Sequence, residues 1–298
     1  MTAPNPPRDE PRTPLAQLDQ LDQLDSVAHL MDSISSRLAG RLRLVPPPVR
    51  RRPDPPALVL VAHGSRDPRA LTTVRALMDR VRHLRPALPL HLGHIELNEP
   101  ALPDTLAALA SRGDTPAVLV PLLLGRGHHV KHDIPQMAAA SPVRARVAAP
   151  LGPHPLLVDT LHARLTEAGY PAAMDPATRR STAVVLAAAG SRDPDSATDT
   201  HRTARLLAAR LNVPVVPAYA SAATPTIPTA LRALAARGRQ RVAIASYFTA
   251  PGRFATQCAD LAPWLSSAPL GAHDSMAHLI LHRYDQSLAT RDVELASA

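Results

Sequence analysis

An internal repeat constrains the fold more than any other feature of the sequence. Leu58-Val-Leu-Val-Ala-His-Gly-Ser-Arg-Asp-Pro68 returns as Val184-Val-Leu-Ala-Ala-Ala-Gly-Ser-Arg-Asp-Pro194. Leu106-Ala-Ala-Leu-Ala-Ser-Arg-Gly113 returns as Leu231-Arg-Ala-Leu-Ala-Ala-Arg-Gly238, and Ala149-Pro-Leu-Gly152 as Ala268-Pro-Leu-Gly271. A spacing of about 125 residues is far too long for a solenoid unit, so the repeat signifies two copies of one fold.

Within each copy, short apolar runs bounded by turn residues alternate with helical patterns, the signature of βαβ units and a parallel sheet. The expected strands of the first copy are 57–62, 90–95, 117–124 and 145–149, with helices over 69–84, 102–112, 133–140 and 155–167, the last of them closing the unit. The second copy repeats this with strands near 182–188, 213–220 and 241–248 and a weak fourth near Ser267; a linker is expected over 170–180, where Gly, Pro, Asp and Thr cluster. The expected class is therefore α/β, with tandem domains at 57–175 and 181–298.

Residues 1–56 read as a Pro/Arg-rich N-terminal extension. Apolar residues recur every three or four positions from Leu15 to Leu38, giving one amphipathic helix in a segment otherwise expected to be disordered.

The chain carries 33 basic and 25 acidic residues, and Lys131 is its single lysine. Aromatic residues make up 2% of the sequence, too few for the stacking platforms of single-stranded nucleic acid readers, so nucleic acid is not an expected partner. Arginine forks equally suit a small polycarboxylate. Cys258 is the single cysteine and reads as a small core residue, which excludes a disulfide, a cysteine zinc cluster or an iron–sulfur cluster within one chain. No apolar run reaches the length of a spanning helix and the N-terminus lacks a signal-peptide layout, so a cytoplasmic location without a membrane partner is expected.

Ligands of an open parallel sheet bind beyond the carboxyl ends of its strands. His63 follows the first apolar run, Glu96 ends the second, and the third empties into Gly125-Arg-Gly-His-His-Val-Lys-His-Asp133. Imidazole and carboxylate delivered to one rim suit a divalent transition metal, and imidazole also serves as a base. Each residue alone has a plainer role: a turn histidine at 63, a solvated carboxylate at 96, and a solvated loop face at His128, His129 and His132. His94 shares a strand face with Glu96 and either supports the ligands from behind or fills space. Ser65 and Arg66 lie where strand turns into helix; they either hold an anion or serve the cap that Asp67-Pro68 opens. In the second copy Ala189 replaces His63, Ser221 stands opposite Glu96 and Phe254 opposite His129. Chemistry is thus expected in the first copy, with the second covering or completing the cleft and Phe254 serving chiefly stability.

Val61-Ala-His-Gly-Ser-Arg66, Ile95-Glu-Leu-Asn-Glu-Pro100 and His129-Val-Lys-His-Asp-Ile-Pro135 together resemble the sirohydrochlorin chelatase family, the small class II chelatases of cobalamin and sirohaem synthesis. The resemblance spans nearly all of 57–290. It implies a Rossmann-like chelatase fold in each copy, a cleft between them for an anionic tetrapyrrole, and insertion of Fe2+ or Co2+, with Ni2+ also chemically suitable. His63 and His129 match the family's metal-handling histidines and Glu96 its acidic partner. His128 departs from a position that is often aromatic in the family, and His94 from one that is usually apolar. Arg66, Arg126 and Lys131 are the expected holders of the substrate's carboxylates. No histidine- or cysteine-rich tail is present, which leans the expectation towards iron. A metal or tetrapyrrole carrier using the same ligands is the alternative. A nucleotide-dependent oxidoreductase is disfavoured, because Gly125-Arg-Gly127 lacks the third glycine and following acid of a dinucleotide loop. Oligomeric state is not legible.

Overall fold

The computed structural model describes Met31, residues 55–113 and residues 116–296. The chain divides into two units, residues 1–53 and 54–298. Apart from Met31, the helix expected in the N-terminal extension lies outside the described residues.

In the second unit the first copy runs β1 (Ala57–Ala62), α1 (Pro68–Leu84), β2 (Leu90–His94), α2 (Leu102–Ala110), β3 (Ala117–Pro121), α3 (Ile134–Ala139), β4 (Ala145–Val147) and α4 (Pro155–Glu167). After α5 (Pro176–Ser181), the second copy runs β5 (Thr182–Ala188), α6 (Pro194–Leu211), β6 (Val215–Tyr219), α7 (Ile227–Ala235), β7 (Arg241–Tyr247), α8 (Arg253–Ala259), β8 (Leu265–Ser266) and α9 (Asp274–Ala296). Each copy builds a four-stranded parallel sheet, in the orders β2-β1-β3-β4 and β6-β5-β7-β8.

The central strands are apolar throughout because helices cover both faces. All six residues of β1 are buried and alternate between two cores. Leu58, Leu60 and Ala62 face α1, whereas Ala57, Val59 and Val61 face α2 and α3. In the second sheet, Val184 and Leu186 join the same core as Leu58, while Ala183 and Val185 pack with α7 and with Cys258 of α8. Full burial of Leu58 or Leu60 contributes about 2 kcal/mol each. The Cys258 thiol, pushed up to about 11 by burial, is a core group.

Three local features differ from the sequence expectation. The linker holds α5, whose start is written in Asp175-Pro176: the Asp175 carboxylate accepts from the Ala177 and Thr178 N–H groups, and proline occupies the first turn. The third helix begins with a π-helical turn, His129–Asp133, in which the Ile134 N–H bonds to the His129 carbonyl. The last helices do not close their own sheets. α4 packs against α6 and β7, and α9 packs against α1, α4 and β3. Arg164 of α4 donates to the Leu270 carbonyl, Arg283 of α9 to that of Leu151, and the Tyr284 hydroxyl to that of Pro56. The exchange joins the inner faces of both sheets into one continuous core, which a reading of each copy by itself cannot reveal.

Candidate metal centre

The first parallel pairing carries β1 and β2 past their ends. The Ile95 N–H donates to the Ala62 carbonyl at 2.9 Å and the Glu96 N–H to that of His63 at 3.0 Å. Gly64 then turns the chain with φ +102, and a Cβ there would lie 1.8 Å from the Glu96 carbonyl oxygen. Only glycine accepts both the positive φ and that approach. His63 and Glu96 are thereby set side by side, with Nε2 3.3 Å from Oε1.

His129 reaches the same rim from the π-helical turn. Its ring stands 4.8 Å from that of His63, centroid to centroid, at 87°. One ligand atom from each of His63, Glu96 and His129 lies within 4.8 Å of the others. The His129 Nδ1 donates to Asp133 Oδ2 at 2.5 Å, which fixes the ring and leaves Nε2 for a ligand. The i,i+4 spacing of Asp133 from His129 is the sequence signal for this role.

The remaining candidates fall outside this trio. His94 is 2% exposed, and its Nδ1 donates to the Pro100 carbonyl at 3.1 Å. His128 is largely exposed, with Nε2 3.4 Å from Asp133 Oδ1 and its ring 4.9 Å from that of the exposed His132. Ser65 belongs to the turn: its N–H donates to Asn98 Oδ1 at 2.6 Å and its Oγ accepts from the Asp67 N–H at 3.1 Å. Asn98 thus tethers this turn from the loop after β2, a role that no local sequence pattern marks. Arg66 is exposed on the wall of the cleft.

Arg126 and Lys131, expected to hold substrate carboxylates, are both already paired with carboxylates of the second copy. The Arg126 guanidinium grips Asp199 with Nε at 3.0 Å and Nη2 at 2.8 Å, and Lys131 Nζ lies 2.8 Å from both Asp193 and Asp195. These carboxylates hold both cations above their ordinary pKa values, and Lys131 in turn holds Asp193 below its own. Charges so occupied are poor anchors for a substrate carboxylate, because binding would first have to break an existing pair.

The centre opens on a cleft of about 1550 Å³ lined by both copies, larger than a typical drug-sized pocket. Gly127 of the first copy sits against Ser191 Oγ, and Gly252 of the second against Ser65 Oγ, so the two Gly-Ser-Arg-Asp-Pro turns face each other's loops. The CbiX family model matches residues 57–168 and 183–287.

The chain belongs to the CbiX family.

Among its relatives, it is 31% identical over 177 residues to the sirohydrochlorin ferrochelatase of Bacillus subtilis, covering 57% of this chain and 64% of that protein. It is 35% identical over 81 residues to the sirohydrochlorin cobaltochelatase of Methanococcus aeolicus, covering 27% of this chain and 57% of that protein. The chain thus spans less than two thirds of the length of either. A solved structure described as SirB from Bacillus subtilis with Fe3+ superposes with a TM-score of 0.65 at 25% identity, covering 80% of this chain and 97% of that one.

The two CbiX segments coincide with the two copies, but they are chemically unequal. Gly190 repeats the Gly64 turn with φ +94 and the same 1.8 Å approach, here to the Ser221 carbonyl. The Ser221 N–H donates to the Ala189 carbonyl at 2.9 Å, as Glu96 does to His63. The backbone at these strand ends is therefore duplicated, while His63, Glu96 and His129 are not. Phe254, expected to serve chiefly stability, is half-buried and lines the cleft.

Proposed function

We propose that this CbiX-family protein inserts a divalent metal, Fe2+ or Co2+, into a sirohydrochlorin-type tetrapyrrole. The observation that carries the proposal is the convergence of His63, Glu96 and His129, one ligand atom each within 4.8 Å, beside a cleft of about 1550 Å³ that His63 and His129 line. The names of the relatives support the reaction class and include both metals.

Two imidazole nitrogens and a carboxylate oxygen form a borderline donor set suited to Fe2+ and Co2+. The side chains of His63 and Glu96 are 43% and 51% exposed, so an aquated ion reaches them without opening the protein. Three protein ligands leave coordination positions for the pyrrole nitrogens. As the two metal–nitrogen bonds that replace N–H form, two protons leave the macrocycle, and imidazole is the natural acceptor. Arg66 on the cleft wall holds a peripheral carboxylate, and binding energy from such remote groups bends the ring so that its nitrogens face the ion. The copy at 57–175 carries the chemistry and the copy at 181–298 forms the opposite wall. No nucleotide or iron–sulfur cluster takes part, and the reaction runs in the cytoplasm.

The deciding experiment incubates substoichiometric protein with the tetrapyrrole and Fe2+ or Co2+ and follows the absorption of the metallated product. Many product molecules per chain establish catalysis. Product capped at one equivalent assigns a carrier instead, and no product with either metal overturns the proposal.

A further inference from the structure

The His129 loop is held from across the cleft by carboxylates of the copy that lacks ligands of its own. Asp199 of α6 has a side chain only 4% exposed and is paired with Arg126. It accepts from the Arg126 backbone N–H at 3.0 Å as well as from both arms of that guanidinium. Five residues on, Lys131 is pinned to Asp193 and Asp195 at 2.8 Å each. His129 lies between these two anchor points, and the Val130 and Lys131 N–H groups both close onto the Gly127 carbonyl, so the loop has little freedom to move its imidazole.

The clamp has no mirror image. The repeat places Thr73 where the second copy has Asp199, and Pro251 and Thr256 where the first has Arg126 and Lys131. Thr73 spends its hydroxyl on the Arg69 carbonyl of its own helix, and Pro251 has no N–H to donate. A remnant of the duplicated scaffold would hold both loops alike; this one holds only the loop that carries His129.

We infer that Asp199, seconded by Asp193 and Asp195, is a positioning residue for the metal centre, acting through Arg126 and Lys131 to fix His129 opposite His63 and Glu96. The second copy thus contributes to metal handling without a metal ligand. A buried carboxylate with a bidentate arginine has one well-defined geometry, which suits it to setting a loop within the tolerance that ligation requires. The inference rests on the proposed metal centre, and the test separates the two.

The full-length protein is titrated with Co2+ alone, following the visible absorption of the bound ion, so that no tetrapyrrole enters the readout. Asp199→Asn and Lys131→Ala are compared with Asp285→Asn, which breaks the equally bidentate Arg85–Asp285 pair, at 2.7 and 2.6 Å, between the C-cap of α1 and α9. Asp199→Asn and Lys131→Ala are expected to weaken Co2+ binding at least tenfold, and to lower kcat while KM for the tetrapyrrole stays within about twofold. Asp285→Asn is expected to lower the melting temperature and leave Co2+ affinity unchanged. Wild-type affinity in both clamp variants overturns the inference, as does an equal loss in Asp285→Asn. Should Asp199→Asn fail to fold, Lys131→Ala decides alone. His63→Ala run alongside marks the other branch: if it too binds Co2+ normally, the metal centre itself is misassigned and the clamp falls with it. If it loses binding while the clamp variants do not, the clamp alone is wrong.

Discussion

Gly64 and Glu96 meet so closely that a Cβ on the glycine would stand 1.8 Å from the glutamate carbonyl oxygen. That contact lets the turn after β1 fold against the strand beside it and brings an imidazole and a carboxylate from two βα units within 3.3 Å. Gly190 and Ser221 repeat it at the same 1.8 Å where Ala189 and Ser221 stand in place of His63 and Glu96.

The duplicated turn supplies its own control. Gly64→Ala and Gly190→Ala should each destabilise the fold by about 2 kcal/mol, through the positive φ and the clash. Only Gly64→Ala should also lose Co2+ binding, because only there does the displaced strand end carry a ligand. Urea melts and Co2+ titrations of the two variants check this, and equal loss of metal in both would show that the turn acts through stability alone.

His63→Ala and His129→Ala should each reduce metal insertion at least tenfold with melting temperatures near wild type, since both side chains are partly exposed, His63 just after β1 and His129 on the π-helical turn. Asp133→Asn should cost about tenfold, by loosening the ring that it orients. Steady-state insertion rates measured beside thermal melts check these values; a His63→Ala variant that turns over normally would move the active rim elsewhere.

Phe254 presents a half-buried ring to the cleft, with the Arg253 guanidinium 4.8 Å over it. A macrocycle face stacked on that ring would gain about 1 kcal/mol. Phe254→Ala should therefore raise KM for the tetrapyrrole about fivefold with kcat little changed. A variant altered only in melting temperature would return Phe254 to a purely structural role.

His154 caps α4 by accepting the Leu156 N–H on Nδ1 at 3.1 Å, which only the neutral ring can do. Burial, Arg283 and His282 lower its pKa to about 4. The unfolded chain binds this proton near pH 6.5 and the folded chain near 4, so between those values the unfolded state holds more protons. The stabilisation is complete above about pH 6.5 and declines as pH falls towards 4. His91, His162 and His273, also lowered chiefly by burial, act in the same direction. His154→Asn keeps a capping acceptor without the titration, so its urea midpoint should fall less between pH 7 and pH 5 than the wild-type midpoint. Parallel falls would remove His154 from the acid response.

Much of the fold was legible because parallel strands buried on both faces leave continuous apolar runs, and because the repeat presents each run twice. β1, α4 and β5 begin and end where the apolar runs and turn residues say they should. The convergence of His63, Glu96 and His129 was legible for a related reason, since parallel strands must deliver their carboxyl ends to one rim. The π-helical turn was not, because widening a helix by one residue leaves no mark on a pattern only a few residues long.

Local periodicity and comparison of the copies specify two parallel sheets, the rim on which His63, Glu96 and His129 gather, and the copy that carries them. Tertiary structure alone decided which helix covers which sheet and which cations are already occupied. Arg126 finds Asp199 73 residues away, Lys131 finds Asp193 62 away and Arg283 finds Leu151 132 away. Such pairings depend on how the two sheets are set against each other, and charge, being without direction along the chain, does not name its partner in advance.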